Sequence, residues 1–180
     1  MKDNLRIEFL GPGQISPELD KQVDALDRLA FSGQVHKDLE FSSIQWSSHA
    51  WMALGHLDGE LVTQLCLLKR EIRVGREKFC VAGIGGVATH PGWRRCGLAS
   101  QLLRASEAFI RAEIRTPFGL LICADEVQPV YVRCGWQTVA KSLTFVQEGR
   151  RRTLETCVMI LPLTDRPWPS AEIDLNGLPW

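Results

Sequence analysis

The segment Gly85–Ser100 contains the residue types and spacing most able to do chemistry. It reads GGVATHPGWRRCGLAS, so glycines and two adjacent arginines come directly before a helix-forming stretch. A helix N-terminus offers unpaired N–H groups and the positive end of the helix dipole. Gly97 lets the backbone approach a ligand closely, and Arg94 and Arg95 add positive charge. The pattern predicts a cradle for a pyrophosphate group. The alternative is a solvated pair of loop arginines.

Other sites for phosphate or metal are not indicated. No Gly-Lys-Ser/Thr triplet follows the arginines, and the G-x-G-x-x-G fingerprint of dinucleotide-binding folds is absent. The six cysteines are spread along the chain without a C-x-x-C pair. A zinc site needs clustered ligands, so we expect no metal.

The elements that must position this segment follow from hydrophobic periodicity and turn signals. We predict a first strand over residues 5–10 and a helix from Pro17, capped by Ser16, with Val23, Leu26, Leu29 and Ala30 as its apolar stripe. Asp58-Gly59 predicts a hairpin turn. Six further strands are predicted at Trp51–Leu57, Leu61–Val74, Lys78–Thr89, Phe118–Ala124, Trp136–Val146 and Thr153–Leu163. Two further helices are predicted at Gly97–Glu113 and Val127–Arg133.

The strand Lys78–Thr89 is apolar or small on both faces, with Phe79, Val81, Gly83, Gly85 and Val87 assigned to one of them. This pattern predicts a central strand buried on both sides. Glycines weaken a strand, and several of them mark a bulge or a close approach of a ligand to the backbone. The element order predicts an α+β fold with a mixed sheet of six to seven strands flanked by helices.

Length and charge narrow the function classes. The chain has 180 residues, which predicts one domain over 1–180, with residues 164–180 as an extended tail that forms no strand. The 21 basic residues balance the 21 acidic ones, so we expect no nucleic-acid or membrane partner. No signal-peptide core or membrane-length apolar run is present, which favours a cytoplasmic protein.

The pattern Arg94-x-x-Gly97-x-Ala99 resembles the acetyl-CoA motif of the GNAT superfamily of N-acetyltransferases. About thirty residues later, Val130–Trp136 contains Tyr131 and Gly135-Trp136, similar to a Tyr-x-x-x-Gly-aromatic segment of that family. The resemblance over residues 79–146 implies the GNAT fold and acetyl-CoA as cofactor. It implies that the cofactor binds at ten positions: Val87, Ala88, Thr89, Arg94, Arg95, Cys96, Gly97, Leu98, Ala99 and Ser100.

A narrower resemblance, to the aminoglycoside 2'-N-acetyltransferases, rests on Gly86-Val87-Ala88, Trp93-Arg94, Tyr131, Gly135-Trp136 and the last residue, Trp180. It implies a small-molecule amine as substrate, with Trp180, Gly85 and Gly86 at the sugar site. Those enzymes tend to carry a glutamate at the position of Gly85 and an acidic residue near Gln34. The remaining acidic candidates for an amine contact are Asp38 and Glu40. Fewer carboxylates attract a polycation less strongly, which favours a narrow, kasugamycin-like substrate.

The resemblance implies direct transfer to a primary amine with Tyr131 as general acid. The alternative for Tyr131 is a packed aromatic with a satisfied hydroxyl. A backbone N–H freed by a bulge near Gly86 and Val87 is the natural donor to developing negative charge. No base is evident: Asp125, Glu126 and His90 are candidates, and a water chain to backbone carbonyls is an equal alternative.

Several alternatives stay open. The enzyme can act on another small amine or a peptide N-terminus, or the protein can be a non-catalytic acyl-CoA sensor. Many relatives dimerise, so a homodimer is an option. Trp180 is either a loose end or a wall of the site, and Trp46 and Trp51 are either core or cleft residues. We expect Trp136 in the core and Arg150–Arg152 as a solvated hairpin tip.

Overall fold

A computed structural model describes residues 5–32 and 43–180, and it contains one sheet of eight strands. The strands are β1 Arg6–Leu10, β2 Trp51–Leu57, β3 Glu60–Val74, β4 Glu77–Thr89, β5 Phe118–Cys123, β6 Gln137–Gln147, β7 Arg150–Pro162 and β8 Ile173–Asp174. Their order across the sheet is β1-β2-β3-β4-β5-β7-β6-β8. Only β4–β5 and β6–β8 are parallel among these neighbours, so the predicted α+β class with a mixed sheet is confirmed.

The tail differs from the prediction because it contributes a strand. β8 pairs with β6 on one side and with the end of β3 on the other, through Arg73↔Asp174 and Val74↔Ile173. These pairings join β3, β4, β5, β7, β6 and β8 into a ring at one end of the sheet. The prediction of six to seven strands missed β8 because a two-residue strand carries no periodicity of its own.

Within residues 5–32 and 43–180, three α-helices cover the two faces of the sheet. They are α1 Pro17–Phe31, α2 Leu98–Phe109 and α3 Gln128–Val132. Ser16 begins α1 as predicted, since its hydroxyl accepts the N–H of Leu19 at 3.2 Å. The predicted helix 97–113 ends its α-helical part at Phe109 and continues as a π-helical turn over Ile110–Ile114.

The two faces have separate cores. On the face that we call the α2 face, Leu102, Ile110 and Tyr131 pack with β-strand residues such as Ala82 and Ile84. On the opposite face, which we call the α1 face, Val23 packs on Met52 and Leu54. The tail packs on the same face, where Leu175 and Trp180 meet residues of β3, β4 and β5. Trp136 is buried, as predicted.

The start of one predicted strand moved by three residues. Strand β7 begins at Arg150, not Thr153, because Glu148 and Gly149 alone form the turn, both with positive φ. Arg150 and Arg151 are exposed as predicted, although Arg151 also pairs with Asp174 at 2.8 Å. Arg152 is only half-exposed, and its guanidinium lies 5.4 Å from the Phe145 ring centroid.

The apolar stripe of α1 is also shifted. Val23 and Leu26 are buried as predicted, but Leu29 is 50% exposed. Asp27, one helical turn after Val23, faces the sheet instead. The 3–4 residue spacing fits either set, so periodicity alone does not separate them.

Candidate functional site

Strand β4 contains the predicted bulge at Gly86. Gln64 of β3 pairs with Ala88 and Cys66 pairs with Gly85, so Gly86 and Val87 together face one residue of β3. Gly86 has φ +56, a conformation that glycine adopts without strain. The extra residue leaves backbone groups of β4 outside the ladder. It also turns Val87 toward the α2 face, which corrects its assignment to the face of Phe79.

Strands β4 and β5 separate just before this bulge. Their parallel pairing runs from Val81↔Phe118 to Gly83↔Leu120 and includes no later pair within the described residues. Both strands nevertheless continue, β4 to Thr89 and β5 to Cys123. The sheet therefore opens beyond Gly83, and the bulge lies at the edge of the opening.

The loop after β4 leads into α2 as predicted. Gly97 is the N-cap residue with φ +79, and a β-carbon there would meet no atom within 4 Å. No side chain caps this helix start, so its first N–H groups remain available. Cys96 is exposed, while Leu98 is buried against Leu57 and Val62. The arrangement suits an anionic group at the N-terminus of α2.

Arg94 lies in the predicted loop, where its side chain is held by main-chain carbonyls. Its Nη2 donates to the carbonyl of Ala30 in the last turn of α1 at 2.8 Å, and its Nε donates to the carbonyl of Thr89 at 3.4 Å. It is therefore not a freely solvated residue. It joins the loop after β4 to the C-terminal end of α1. Arg95 is exposed with φ +65.

Tyr131 lies on α3, on the α2 face of the sheet. Its ring packs edge-on to Trp136, with centroids 6.4 Å apart, and the residue is 8% exposed. Within residues 5–32 and 43–180, no group hydrogen-bonds to its hydroxyl. Burial raises the pKa of Tyr131 above its ordinary 10.0, and Cys123 and Cys134 raise it further. The hydroxyl is thus a neutral donor without a partner among the described residues.

Trp180 is docked and not loose. Its indole ring lies on Gly83, and its Nε1 donates to the carbonyl of Leu120 at 3.4 Å. Its main-chain carbonyl carbon and oxygen lie 2.7 and 3.1 Å from the point where a Gly85 β-carbon would stand. Trp180 therefore covers the last paired residues of β4 and β5 from the α1 face, directly beside the bulge.

Arg70 of β3 holds this end of the chain in place. Its Nη1 donates to the carbonyl of Leu178 at 2.9 Å and its Nη2 to the Ser47 hydroxyl at 2.7 Å. The N–H of Ser47 donates to the carbonyl of Pro179 at 2.7 Å. The Arg70 guanidinium also lies 5.5 Å from the Trp180 ring centroid. Hydrogen bonds and a cation–π contact together anchor the tail.

The structure describes only some of the residues considered for an amine contact or as a base. Asp38, Glu40 and Gln34 lie outside the described residues. Asp125 pairs with Lys141, and the His90 ring accepts the N–H of Gly92 within its own turn. Glu126 is exposed. None of these three contacts the bulge, so the structure gives no support to any of them as a base.

Asp27 is the acidic residue that sequence reasoning missed. It is half-buried on α1, and its carboxylate accepts a hydrogen bond from Gln64 Nε2 at 2.7 Å. The signal was its place four residues after Val23, in the stripe that faces the sheet. Trp51, one of the two undecided tryptophans, packs on Phe109 on the α2 face, whereas Trp46 is 46% exposed.

A sequence comparison decides the family. The profile of the acetyltransferase (GNAT) domain matches residues 16–139, well over half of the chain. The chain belongs to the GNAT family of acetyltransferases. This makes the protein an acyltransferase with acetyl-CoA as its cofactor. No functionally curated protein matches the chain.

Solved GNAT structures share the fold. ElaA of Escherichia coli is 16% identical with a TM-score of 0.63, and the match covers 88% of this chain and 99% of that one. An acyl-CoA N-acyltransferase from Pseudomonas aeruginosa is 19% identical with a TM-score of 0.60, over 88% and 99%. A Brucella melitensis GNAT acetyltransferase, solved with acetyl-CoA, is 12% identical with a TM-score of 0.60, over 93% and 94%.

The described part of the chain has two further properties. None of its helices is long and apolar enough to cross a membrane. No group of three or more histidine, cysteine, aspartate or glutamate side chains within it is placed to hold a metal ion.

Proposed function

We propose that this GNAT protein acetylates a primary amine of an aminoglycoside, at a 2'-type position and with a narrow, kasugamycin-like substrate range. The observation that carries the proposal is the position of Trp180. Its indole and carbonyl cover Gly83 and Gly85 on the α1 face, beside the bulge, while the α2 N-terminus and Tyr131 lie on the other side of the sheet opening. A wall of this kind next to the reaction point suits a sugar, whose C–H face packs against apolar surface.

The residues on the α2 side fit the cofactor. The opening between β4 and β5 gives a path through the sheet, and the uncapped N-terminus of α2 offers N–H groups to phosphate oxygens. Acetyl-CoA supplies, when bound, an acetyl group activated as a thioester. Arg94 would fix the loop that leads into α2. Acetyl-CoA would be held by the main chain of Val87, Ala88 and Thr89, by the loop residues Arg95, Cys96 and Gly97, and by the first helical residues Leu98, Ala99 and Ser100.

In this proposal, Gly86 and Val87 stabilise negative charge and Tyr131 donates a proton. An N–H that the bulge frees at Gly86 or Val87 donates to the oxygen on which negative charge develops. With acetyl-CoA bound, Tyr131 would donate its proton to the sulfur of the leaving group, and the proton lost by the amine would pass through water to backbone carbonyls. Two properties support this role: its hydroxyl has no partner among the described residues, and burial keeps it protonated.

Thiol release from acetyl-CoA tests the proposal. The wild-type protein and Tyr131→Phe are assayed against an aminoglycoside panel that includes kasugamycin, with spermidine and short peptides as the other acceptor classes. We expect turnover with one or a few aminoglycosides, and loss of turnover but not of acetyl-CoA binding in Tyr131→Phe. A reaction run without acceptor corrects for the protein's own thiols.

Two other results of this assay would contradict part of the proposal. Turnover with spermidine or a peptide alone would move the substrate to another amine. Binding of acetyl-CoA without turnover of any acceptor would favour a non-catalytic sensor.

A further inference from the structure

Two tryptophans of the tail lie along the line where β4 pairs with β5. Trp168 packs edge-on to Phe118, with ring centroids 5.0 Å apart, and Phe118 belongs to the first pair of these two strands. Trp180 lies at the other end of the same pairing, over Gly83, and its Nε1 donates to the carbonyl of Leu120. Both tryptophans pack in the core of the α1 face. Trp180 therefore stands where the opening in the sheet begins.

Trp180 leaves no space between itself and β4. A β-carbon added at Gly83 would overlap the indole atoms Cε2 and Nε1, and one added at Gly85 would stand 2.7 Å from the Trp180 main-chain carbonyl carbon. Even a single methyl group therefore does not fit between the tail and the strand at these two positions. Trp180 is 8% exposed, so little solvent surrounds it on its other sides.

The residues around Trp180 hold it in this place. The Arg70 guanidinium lies 5.5 Å from the centroid of its ring and donates a hydrogen bond to the carbonyl of Leu178. The N–H of Ser47 donates to the carbonyl of Pro179. A group that enters the opening and pushes the ring aside must strain or break these contacts, which costs free energy.

Apolar surface borders the α1 side of the opening. In the register that pairs Gly83 with Leu120, Ile122 of β5 stands level with Gly85, in the part of β5 that has no recorded pair with β4 among the described residues. Ile122 is only partly buried against the core of the α1 face, and so are Val139 and Ala140 of β6. Burial of methylene groups on such a surface is favourable. Trp180 fills the space beside it.

The acyl group of the donor is the group that points toward this space. In the proposed function, the CoA part is held on the α2 side, and the thioester oxygen faces an N–H of Gly86 or Val87. An acyl chain directed away from the α2 side runs toward positions 83 to 85, which Trp180 covers. An acetyl group has only a methyl group beyond its carbonyl carbon, whereas each further methylene needs space that Trp180 occupies.

We infer that Trp180 sets the acyl-chain selectivity of this protein, so that the acetyl group is admitted and butyryl and longer acyl groups are rejected. The inference rests on the position of the thioester in the proposed function, but it holds for any amine that accepts the acyl group. Selectivity of this kind comes from a clash with the wrong ligand. Single methylene groups commonly change specificity by about 10- to 200-fold.

Binding of acyl-CoA thioesters tests the inference without any acceptor. Acetyl-, butyryl- and hexanoyl-CoA are titrated calorimetrically into wild type, Trp180→Ala and the matched control Trp168→Ala, which removes the other tail tryptophan from the same core, away from the opening. We expect wild type to bind hexanoyl-CoA no more tightly than acetyl-CoA. Trp180→Ala should bind hexanoyl-CoA more tightly than acetyl-CoA by about 10-fold or more, because the longer chain reaches the apolar surface.

Three binding results would overturn the inference. Hexanoyl-CoA binds more tightly than acetyl-CoA already in wild type, the ratio of the two dissociation constants is the same in Trp180→Ala, or Trp168→Ala changes this ratio equally. The last result would assign the effect to a loosened tail and not to the Trp180 ring. Thermal unfolding shows whether each variant folds. If Trp180→Ala does not fold, Trp180→Leu takes its place, and the affinity for butyryl-CoA relative to acetyl-CoA should rise.

Turnover separates this inference from the proposed function. With an amine that wild type acetylates, the kcat/KM for hexanoyl-CoA relative to acetyl-CoA should rise about 10-fold or more in Trp180→Ala and stay unchanged in Trp168→Ala. If wild type acetylates none of the aminoglycosides, the proposed function fails, and the binding ratio still decides the role of Trp180. A ratio that Trp180→Ala leaves unchanged overturns the inference whichever amine is acetylated.

Discussion

The main-chain carbonyl carbon of Trp180 lies 2.7 Å from the point where a β-carbon on Gly85 would stand. No other residue fits at position 85 while the tail keeps this position. The relationship explains why glycine stands at position 85, because Trp180 occupies the space that a larger side chain would need. The tail therefore restricts the residue type of β4 directly beside the bulge at Gly86.

Gly83→Ala is predicted to displace Trp180, because the new methyl group would overlap the indole ring. We expect a loss of about 1 to 3 kcal/mol in the free energy of unfolding, as in other overpacked cores. The measurement is a double-mutant cycle in denaturant with Trp180→Ala. Gly83→Ala should cost much less in the Trp180→Ala background. An equal cost in both backgrounds would place the strain elsewhere.

Tyr131→Phe is predicted to lower kcat by about 10²- to 10⁴-fold, the range typical of a general acid, with acetyl-CoA affinity unchanged. The pH profile adds a second readout. Burial raises the pKa of Tyr131 above 10.0, so its neutral form persists at and beyond that pH. Activity should therefore not fall through ionisation of Tyr131 below pH 10. A wild-type basic limb well below pH 10 that disappears in Tyr131→Phe would contradict this assignment.

Cysteine labelling is predicted to be strongly selective. Burial raises the pKa of Cys66 and of Cys123 to about 12, which leaves very little reactive thiolate at pH 8. Cys96 is exposed. Iodoacetamide at pH 8 should modify Cys96 first, and peptide mass spectrometry should find Cys66 and Cys123 unmodified until the protein unfolds. Early modification of Cys66 in folded protein would show that the α1 face opens.

Arg94 and Arg95 are predicted to have different roles although they are adjacent. Arg94 connects Thr89 to Ala30 at the end of α1, whereas Arg95 is exposed. Arg94→Ala should raise the KM for both acetyl-CoA and the acceptor, since it releases the loop after β4 from the end of α1. Arg95→Ala, the matched control, should raise the KM for acetyl-CoA alone, by removing one positive charge. Steady-state kinetics with each substrate varied would separate them, and identical profiles would contradict the role of Arg94 as brace.

Local features of the fold were predictable from sequence because their causes are local. Ser16 and Pro17 signal a helix start, Asp58-Gly59 signals a hairpin turn, and the glycines of β4 signalled the bulge that Gly86 forms. The loop into α2 followed from the Arg94-x-x-Gly97-x-Ala99 pattern. Each of these depends on a few neighbouring residues and their backbone preferences.

The packing on the α1 face was only partly predictable, because distant residues meet there. Gly83 and Gly85 are glycines to make room for Trp180, which no pattern around position 83 reveals. β8 exists because β3 and β6 both offer pairing groups to Ile173 and Asp174. Leu29 and Asp27 fit the helical period about equally well, and only the packing of α1 on Gln64 decides which one faces inward.

The product of the reaction tests the central claim most directly. The protein is incubated with acetyl-CoA and, separately, with kasugamycin and with an aminoglycoside that carries four or more amino groups. Mass spectrometry counts the acetyl groups added, and NMR locates them. The account predicts one acetyl group on the 2'-type amine of kasugamycin and little product from the larger drug. No acetylated kasugamycin, from protein that binds acetyl-CoA, or equal acetylation of both drugs, would contradict it.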